Sequence, residues 1–394
     1  MEQNKGTLRV FNRWYLICWL LLAALVSCES DPRKQSDTGW QLIPIAFAEG
    51  FSIQTLNGAI WIEIREAFPK ANRSYHYLIL PDNASFPDSL RQKSFDAVIH
   101  LPGKHLVFTS TTHIPHLELL GNEELLAGFP NTDLISSEIQ RQRINKGLVK
   151  ELGTGASLNL ESVLDLSPDW IMVSTLGNDM QQVTLLSNAG IPVVLNGDYV
   201  EKHPLGVAEW IKVTGALTGK LTEATDIFEE ISASYRQAEK LVWNSRISSP
   251  PKIMSGVMYN DLWYAPGAES WVSILLEHAG GDYLFKENNG KGGLSLSYEY
   301  VLDRAEMADF WIGAADYSSL SSLKLADPKY QAFRPFRTGN IYTYTAKKGA
   351  TGGLLYFEAG YVRPDLVLRD LIKIIHPDLL PEHTLYFYEQ LNEI

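Results

Sequence analysis

Apolar and polar positions alternate with two different periods along this chain, and the change of period marks its organisation. Between Ile43 and Ile64 the apolar residues come in short pieces: Ile43 and Ile45, Phe51 and Ile53, then Ile60, Ile62 and Ile64. Asn57 and Gly58 fall between the last two pieces, a strong hairpin signal. The spacing predicts a small antiparallel β element within residues 40–95, continued by Tyr75–Leu80. From Asp96 onward short apolar runs alternate with helical stretches. The runs are His105–Phe108, Trp170–Val173, Ile191–Leu195, Lys252–Val257, Phe310–Ile312 and Asn340–Tyr342. Strands interleaved with helical patterns predict parallel α/β sheets. They fall into two sets separated by a long helical segment, residues 204–246. There Leu221, Ala224, Ile227, Phe228, Ile231, Tyr235, Ala238, Leu241 and Val242 follow the i, i+3, i+4 spacing of one apolar helix face. Two prolines, Pro250 and Pro251, stop it. An ordinary crossover helix inside one large domain is the alternative. The two sets echo each other. Leu160–Asp169 leads into Trp170–Val173 as Tyr298–Asp309 leads into Phe310–Ile312, each a short amphipathic helix, an Asp and a buried strand.

The first 28 residues follow a different logic. Lys5, Arg9 and Arg13 precede an apolar run from Trp14 to Val26. That is the layout of a secretory signal, and the run is shorter than the ~20 residues of a membrane span. Its end, Leu25-Val26-Ser27-Cys28, resembles a lipobox, which implies acylation of Cys28. Residues 29–39 then read as a tether, and the body is expected in the periplasm, lipid-anchored. Of the two cysteines, Cys18 leaves with the leader and Cys28 takes lipid, so no disulfide is expected and core burial must stabilise the body. The roughly 365 residues that follow the leader suffice for two domains. A net charge of −12 argues against nucleic acid as a partner.

Several stretches resemble one family. Asn159-Leu160-Glu161, followed by Leu166–Trp170, is similar to a joint in the substrate-binding proteins of ATP-driven importers for iron complexes and cobalamin. Phe108–His113 resembles the Ser/Thr-rich turn that opens their cleft, and Trp210–Lys220 the start of their connecting helix. Gly267–Ser270 resembles the turn that opens the first helix of their second lobe, and Arg363–Leu371 with His376 and Pro377 also fits. The resemblance runs from about Phe95 to the C terminus, in order and spacing. It implies an α/β fold of two Rossmann-like lobes, residues 96–203 and 247–394, joined by one long α-helix, with the small N-terminal β addition outside the shared core. It also implies a monomer that takes an iron complex (siderophore or haem) or a corrinoid between its lobes and passes it to an ABC permease and its ATPase subunits. Neither an enzyme activity nor a cofactor follows from it.

In open α/β sheets ligands sit beyond the carboxyl ends of strands. That selects Thr111, Thr112, His113, Gly155, Thr175 and Tyr199 in the first lobe. In the second it selects Tyr259, Trp263, Tyr264, Tyr317, Lys347 and Tyr356. Aromatic walls with a few placed polar groups suit a large planar ligand. Lys347 and Lys348 offer charge to an anionic ligand. His113 and His116 have ligand-type spacing, but the nine histidines are scattered, and no bare-metal site is expected. Gly153 and Gly155 lack the third glycine of a nucleotide loop. By the resemblance, Glu161 and Glu269 are rim acids, one per lobe, that meet arginines of the permease. The corrinoid-binding relatives place a Trp where this chain has Gly155. The rivals are an exported α/β hydrolase, against which stand the missing Gly-x-Ser-x-Gly and His-Glu-x-x-His motifs, and a surface scaffold with a degenerate cleft.

Overall fold

The computed structural model describes residues 39–393, apart from 83, 85, 88–89, 155–156 and 291; Cys28 and Gly155 therefore lie outside the described residues. From Leu42 onward the described residues belong to one compact unit. It contains two parallel sheets, each the centre of its own lobe. In the first lobe the strands run in the order Val193–Leu195, Trp170–Val173, Leu106–Phe108, Leu126–Phe129, Lys150–Glu151, all parallel. The four strands other than Lys150–Glu151 are buried along their whole length. That is why Leu106–Phe108, Trp170–Val173 and Val193–Leu195 read as unbroken apolar runs rather than alternating ones. In the second lobe the order is Asp282–Tyr283, Lys252–Met254, Phe310–Ile312, Ile341–Thr343, with Glu389–Gln390 antiparallel at the edge.

Both sheets reverse their winding beside their first strand. The chain builds outward from Leu106–Phe108 on one side, then returns to add Trp170–Val173 on the other. It does the same around Lys252–Met254 and Phe310–Ile312. Such a switch point leaves a crevice beyond the carboxyl ends of the two central strands.

The N-terminal element forms as a meander. Phe51–Leu56 pairs antiparallel with Ala59–Ile64 around Asn57 (φ 49°) and Gly58 (φ 84°), and Tyr75–Leu80 continues it. Its last strand, Ala97–His100, pairs in parallel and extends the sheet beyond residue 95. The element shares the first lobe's core, with Phe51, Ile53, Ile62 and Tyr77 clustering with Leu106, Trp170 and Trp210. Two buried carboxylates tie it down. Glu209 accepts the amides of Ala46, Phe47 and Ala48 and pairs with Lys212 at 2.8 Å; Glu201 accepts those of Glu49 and Gly50 and the Trp210 indole.

The segment joining the lobes is three helices rather than one: Pro204–Glu209, Ile211–Thr218 and the 25-residue Leu221–Ser245. Gly219, left-handed at φ 76°, ends the second, and Arg246 ends the third. The long helix spans about 37 Å at 1.5 Å per residue. Its buried face is Ala224, Phe228, Ile231, Ser232, Tyr235 and Ala238, the centre of the stripe read from the sequence, and it packs on the second lobe and its helix Pro364–Ile375. The short helix Ile211–Thr218 does the bridging. Ile211 enters the second-lobe core, while Val213, Ala216 and Leu217 enter the first.

Candidate functional site

A cavity of about 410 Å³ lies beyond the carboxyl ends of the second lobe's central strands. Ser255 and Gly256 follow Lys252–Met254, and Gly313 follows Phe310–Ile312; all three line it, as the switch point requires. Gly256 stands at φ +109°, and a Cβ there would sit 2.2 Å from the Tyr264 carbonyl oxygen, so only glycine lets the backbone pass. The walls are aromatic: Tyr264, Trp271, Tyr344, Tyr356, Tyr361 and Tyr388 from the second lobe, with Tyr199 from the first. Tyr344 and Tyr356 stack at 5.1 Å and 14°, and Trp271 lies nearly parallel to Tyr356 at 6.1 Å. Burial pushes the Tyr199, Tyr344 and Tyr361 phenols up to about 12, and those of Tyr356 and Tyr388 higher still. All five are therefore neutral hydroxyls at physiological pH.

The elements that hold these rings are identifiable. Ser270 caps the helix Trp271–His278, accepting the Ser273 amide, and so sets Trp271 on its first turn. Asp370 is fully buried and accepts the amides of Tyr386, Phe387 and Tyr388, which fixes the segment bearing Tyr388. Tyr199 donates its hydroxyl to the Thr175 carbonyl at 2.7 Å.

A second cavity of about 350 Å³ adjoins the first at Phe357 and lies between the lobes. Thr109, Ser110 and Thr111, beyond the first lobe's switch point, face Gly353, Leu354 and Glu358 across it. Here the lobes are clasped. Glu358 accepts the amides of Ser136 (2.7 Å) and Ser137 (2.9 Å), and Thr351 donates to the Asp133 carbonyl at 2.7 Å. A Cβ at Gly349 would meet the Ser136 Cα at 2.6 Å, so the two backbones touch. Ser137 also donates its hydroxyl to Glu118. Burial, with the Glu118 charge adding, pushes the Glu358 carboxyl up to about 7, although its two amide bonds pull the other way.

Of the residues selected from the sequence, Tyr199, Tyr264 and Tyr356 line the main cavity and Thr111 the adjoining one. Trp263 does not. It is fully buried, donates its indole N–H to the Ser255 carbonyl at 2.9 Å, and packs on Trp311, Tyr330 and Phe333. The reason is the pleat. The stretch expected as a loop is the strand Leu262–Pro266, paired with Val257–Tyr259 and Gly293–Ser297, and consecutive side chains on a strand face opposite ways. Tyr264 therefore faces the cavity and Trp263 the core. His113 is likewise buried, packed on Phe108, with Nε2 3.7 Å from Asp198, an ion-pair separation rather than a hydrogen bond. His116 bonds Thr214 at 2.9 Å, and burial, with the His113 charge adding, lowers its pKa to about 3. Thr112 donates to Asp198 at 3.2 Å, and Thr175 donates to Asp179 and accepts the Gly177 amide. Tyr259 is exposed, Tyr317 packs against the second-lobe core, and neither lines a cavity described here. Exposed Lys347 sits over the Tyr386 ring at 3.2 Å. Among the described residues no group of three His, Cys, Asp or Glu is placed to hold a metal ion.

The tryptophan and tyrosine rings of the cavity that the sequence alone does not select are Trp271, Tyr344, Tyr361 and Tyr388. Trp271 had a signal, since it directly follows the Gly267–Ser270 turn. The other three come from separate segments that only the sheet order brings together. Glu161 is exposed on the first turn of the helix Leu160–Leu166. Glu269 lies two residues before the helix Trp271–His278, paired across the lobes with Lys202 at 3.3 Å.

Residues 106–347, more than half of the chain, match the periplasmic binding protein family. The chain belongs to this family. An uncharacterised lipoprotein of Methanocaldococcus jannaschii is 25% identical over 304 residues, covering 75% of this chain and 70% of that protein. Among solved structures, a possible iron-binding periplasmic solute-binding protein of Staphylococcus epidermidis superposes with a TM-score of 0.54 at 19% identity, covering 70% of this chain and 99% of that one. A periplasmic haem-binding protein of Pseudomonas aeruginosa gives 0.53 at 18% identity, covering 70% and 94%. At such identities the likeness is one of fold. The family match begins at Leu106, so the N-terminal element, which ends at His100, lies outside it.

Proposed function

We propose that this chain is the substrate-binding component of an ABC importer that takes an iron complex (siderophore or haem) or a corrinoid between its two lobes and hands it to a membrane permease. Export by the leader, and lipid on Cys28, hold it at the membrane on the periplasmic side, and it works as a monomer. The observation that carries the reading is the aromatic-walled cavity at the second lobe's switch point, with Tyr199 of the first lobe on its wall. A ligand seated there touches both lobes, so its presence stabilises the clasped arrangement, which is what a permease must sense. Glu161 and Glu269 present one carboxylate per lobe for that recognition.

Titration of the soluble body by tryptophan fluorescence tests this. Trp271 lines the cavity, so ferric siderophores, haem or cobalamin should quench emission saturably. If none of the three classes produces a saturable change, the reading is wrong.

A further inference from the structure

The cavity's walls also speak to the charge of what they hold, and this argument rests on the binding role proposed above. Among the described lining residues none is Lys, Arg, His, Asp or Glu. The polar groups on offer are tyrosine hydroxyls, Ser255, Ser270 and backbone. Burial raises the phenol pKa of Tyr199, Tyr344, Tyr356, Tyr361 and Tyr388, which keeps these five neutral. Two described lysines have partners of their own. Lys202 is paired with Glu269, and Lys347 lies on the Tyr386 ring.

Two described carboxylates, one on the adjoining cavity and one beside Tyr199, have partners as well. Glu358 is held by two amides, and Asp198 by the Tyr199 amide at 2.8 Å and the Thr112 hydroxyl. An anion moved from water into this site would lose its hydration with no counter-charge among the described lining residues to replace it, which costs far more than burying a neutral group. A cation would gain aromatic faces but no carboxylate among the described lining residues.

We propose that the cavity selects electroneutral metal complexes, in which the charge of the metal is cancelled by its own donor groups, and rejects complexes that carry net or peripheral anionic charge. A ferric ion wrapped by three monoanionic bidentate hydroxamates meets that condition. A ferric tris-catecholate, with three net negative charges, and haem, with its two free propionates, do not.

The test compares these three complexes on the purified soluble body by tryptophan fluorescence, at low and at high salt. The neutral tris-hydroxamate should bind at least about a hundredfold more tightly than either anionic complex, and its Kd should barely change with salt. A charge-gain variant, Tyr264→Arg, at a half-exposed wall position, should then improve tris-catecholate or haem binding at least about tenfold, with the gain reduced by salt. Comparable or tighter binding of an anionic complex to the unmodified protein would overturn the proposal while leaving the binding role intact. So would preference for a cationic complex. Failure of all complexes to bind would instead remove the binding role on which the proposal rests.

Discussion

Glu358 shows how much depends on single side chains at the junction of the lobes. Its carboxylate is the best acceptor for the Ser136 and Ser137 amides, yet burial and Glu118 favour its protonated form and set its pKa at about 7, above the ordinary 4.5. A carboxyl raised in the folded state binds more protons there than in the unfolded chain. Its contribution to stability is therefore fully present below the unfolded value and is lost as pH rises through about 7. His116 and His203 are lowered to about 3 and about 4, chiefly by burial, so each costs stability as pH falls through about 6.5, in the opposite sense to Glu358. The Glu358 contribution is therefore lost between about pH 4.5 and 7. Glu358→Gln should be less stable overall, since its amide nitrogen faces a backbone N–H, but its deficit against the wild type should shrink as pH rises from about 4.5 to 7. Denaturant midpoints against pH decide it, and an unchanged slope would remove Glu358 as the titrating group. A second residue-scale contrast separates core from cavity. Trp263→Ala should cost about 3–5 kcal/mol of stability and strand the Ser255 carbonyl. Trp271→Ala, on a partly exposed wall, should instead weaken ligand binding by roughly 1–3 kcal/mol with a smaller loss of stability. Thermal melts and fluorescence titrations of both variants check this, and the reverse pattern would put Trp263 back on the cavity.

At the scale of elements, legibility followed the range of the forces involved. The helix Leu221–Ser245 was plain because its stripe is local and six turns long. Ile231 is buried at its centre, and Ile231→Pro should cost about 3 kcal/mol or more, enough to abolish the cooperative unfolding transition if the helix is integral to the second lobe. A variant that melts like the wild type would mean that the helix is dispensable. Fully buried strands such as Trp170–Val173 were also plain. Leu126–Phe129 and Asp282–Tyr283 were not: Gly128 sits in the middle of the first, and the second is two residues long. Gly128 is there because a Cβ would come within 2.4 Å of Leu152, a long-range contact that no local pattern announces. The strand Leu262–Pro266 was read as a loop because its partners are far away or separated by two left-handed residues, Asn260 and Asp261. Once it is a strand, alternation alone assigns Tyr264 outward and Trp263 inward. The aromatic cavity was thus half legible. Its chemistry could be expected from composition and topology, but Tyr344, Tyr361 and Tyr388 meet only through sheet order and the grip of Asp370.

For the whole molecule, the question is how two lobes present themselves to a membrane partner. Glu161 lies on the first turn of its helix and Glu269 two residues before the start of another, one in each lobe, so neither lobe alone offers the pair. Rim charges chiefly steer and orient association, and their loss slows it and changes its salt dependence. Glu161→Ala with Glu269→Ala should therefore impair uptake while changing ligand affinity by less than about threefold, or about 0.7 kcal/mol. The Lys202 pairing adds a complication that the design must separate. Removing Glu269 also removes an exposed inter-lobe ion pair, worth about 0–1 kcal/mol after solvent screening. Lys202→Ala breaks that pair and leaves both carboxylates in place. If docking is the role, Lys202→Ala should transport nearly as well as wild type, because Glu269 becomes freer for a permease arginine, and only the double glutamate variant should fail. If Lys202→Ala impairs uptake as severely, the pair matters for holding the lobes together, and Glu269 is a strut rather than a docking point. Normal uptake by the double glutamate variant would remove both residues from recognition and leave the clasp around Glu358 as the feature through which lobe closure could be sensed.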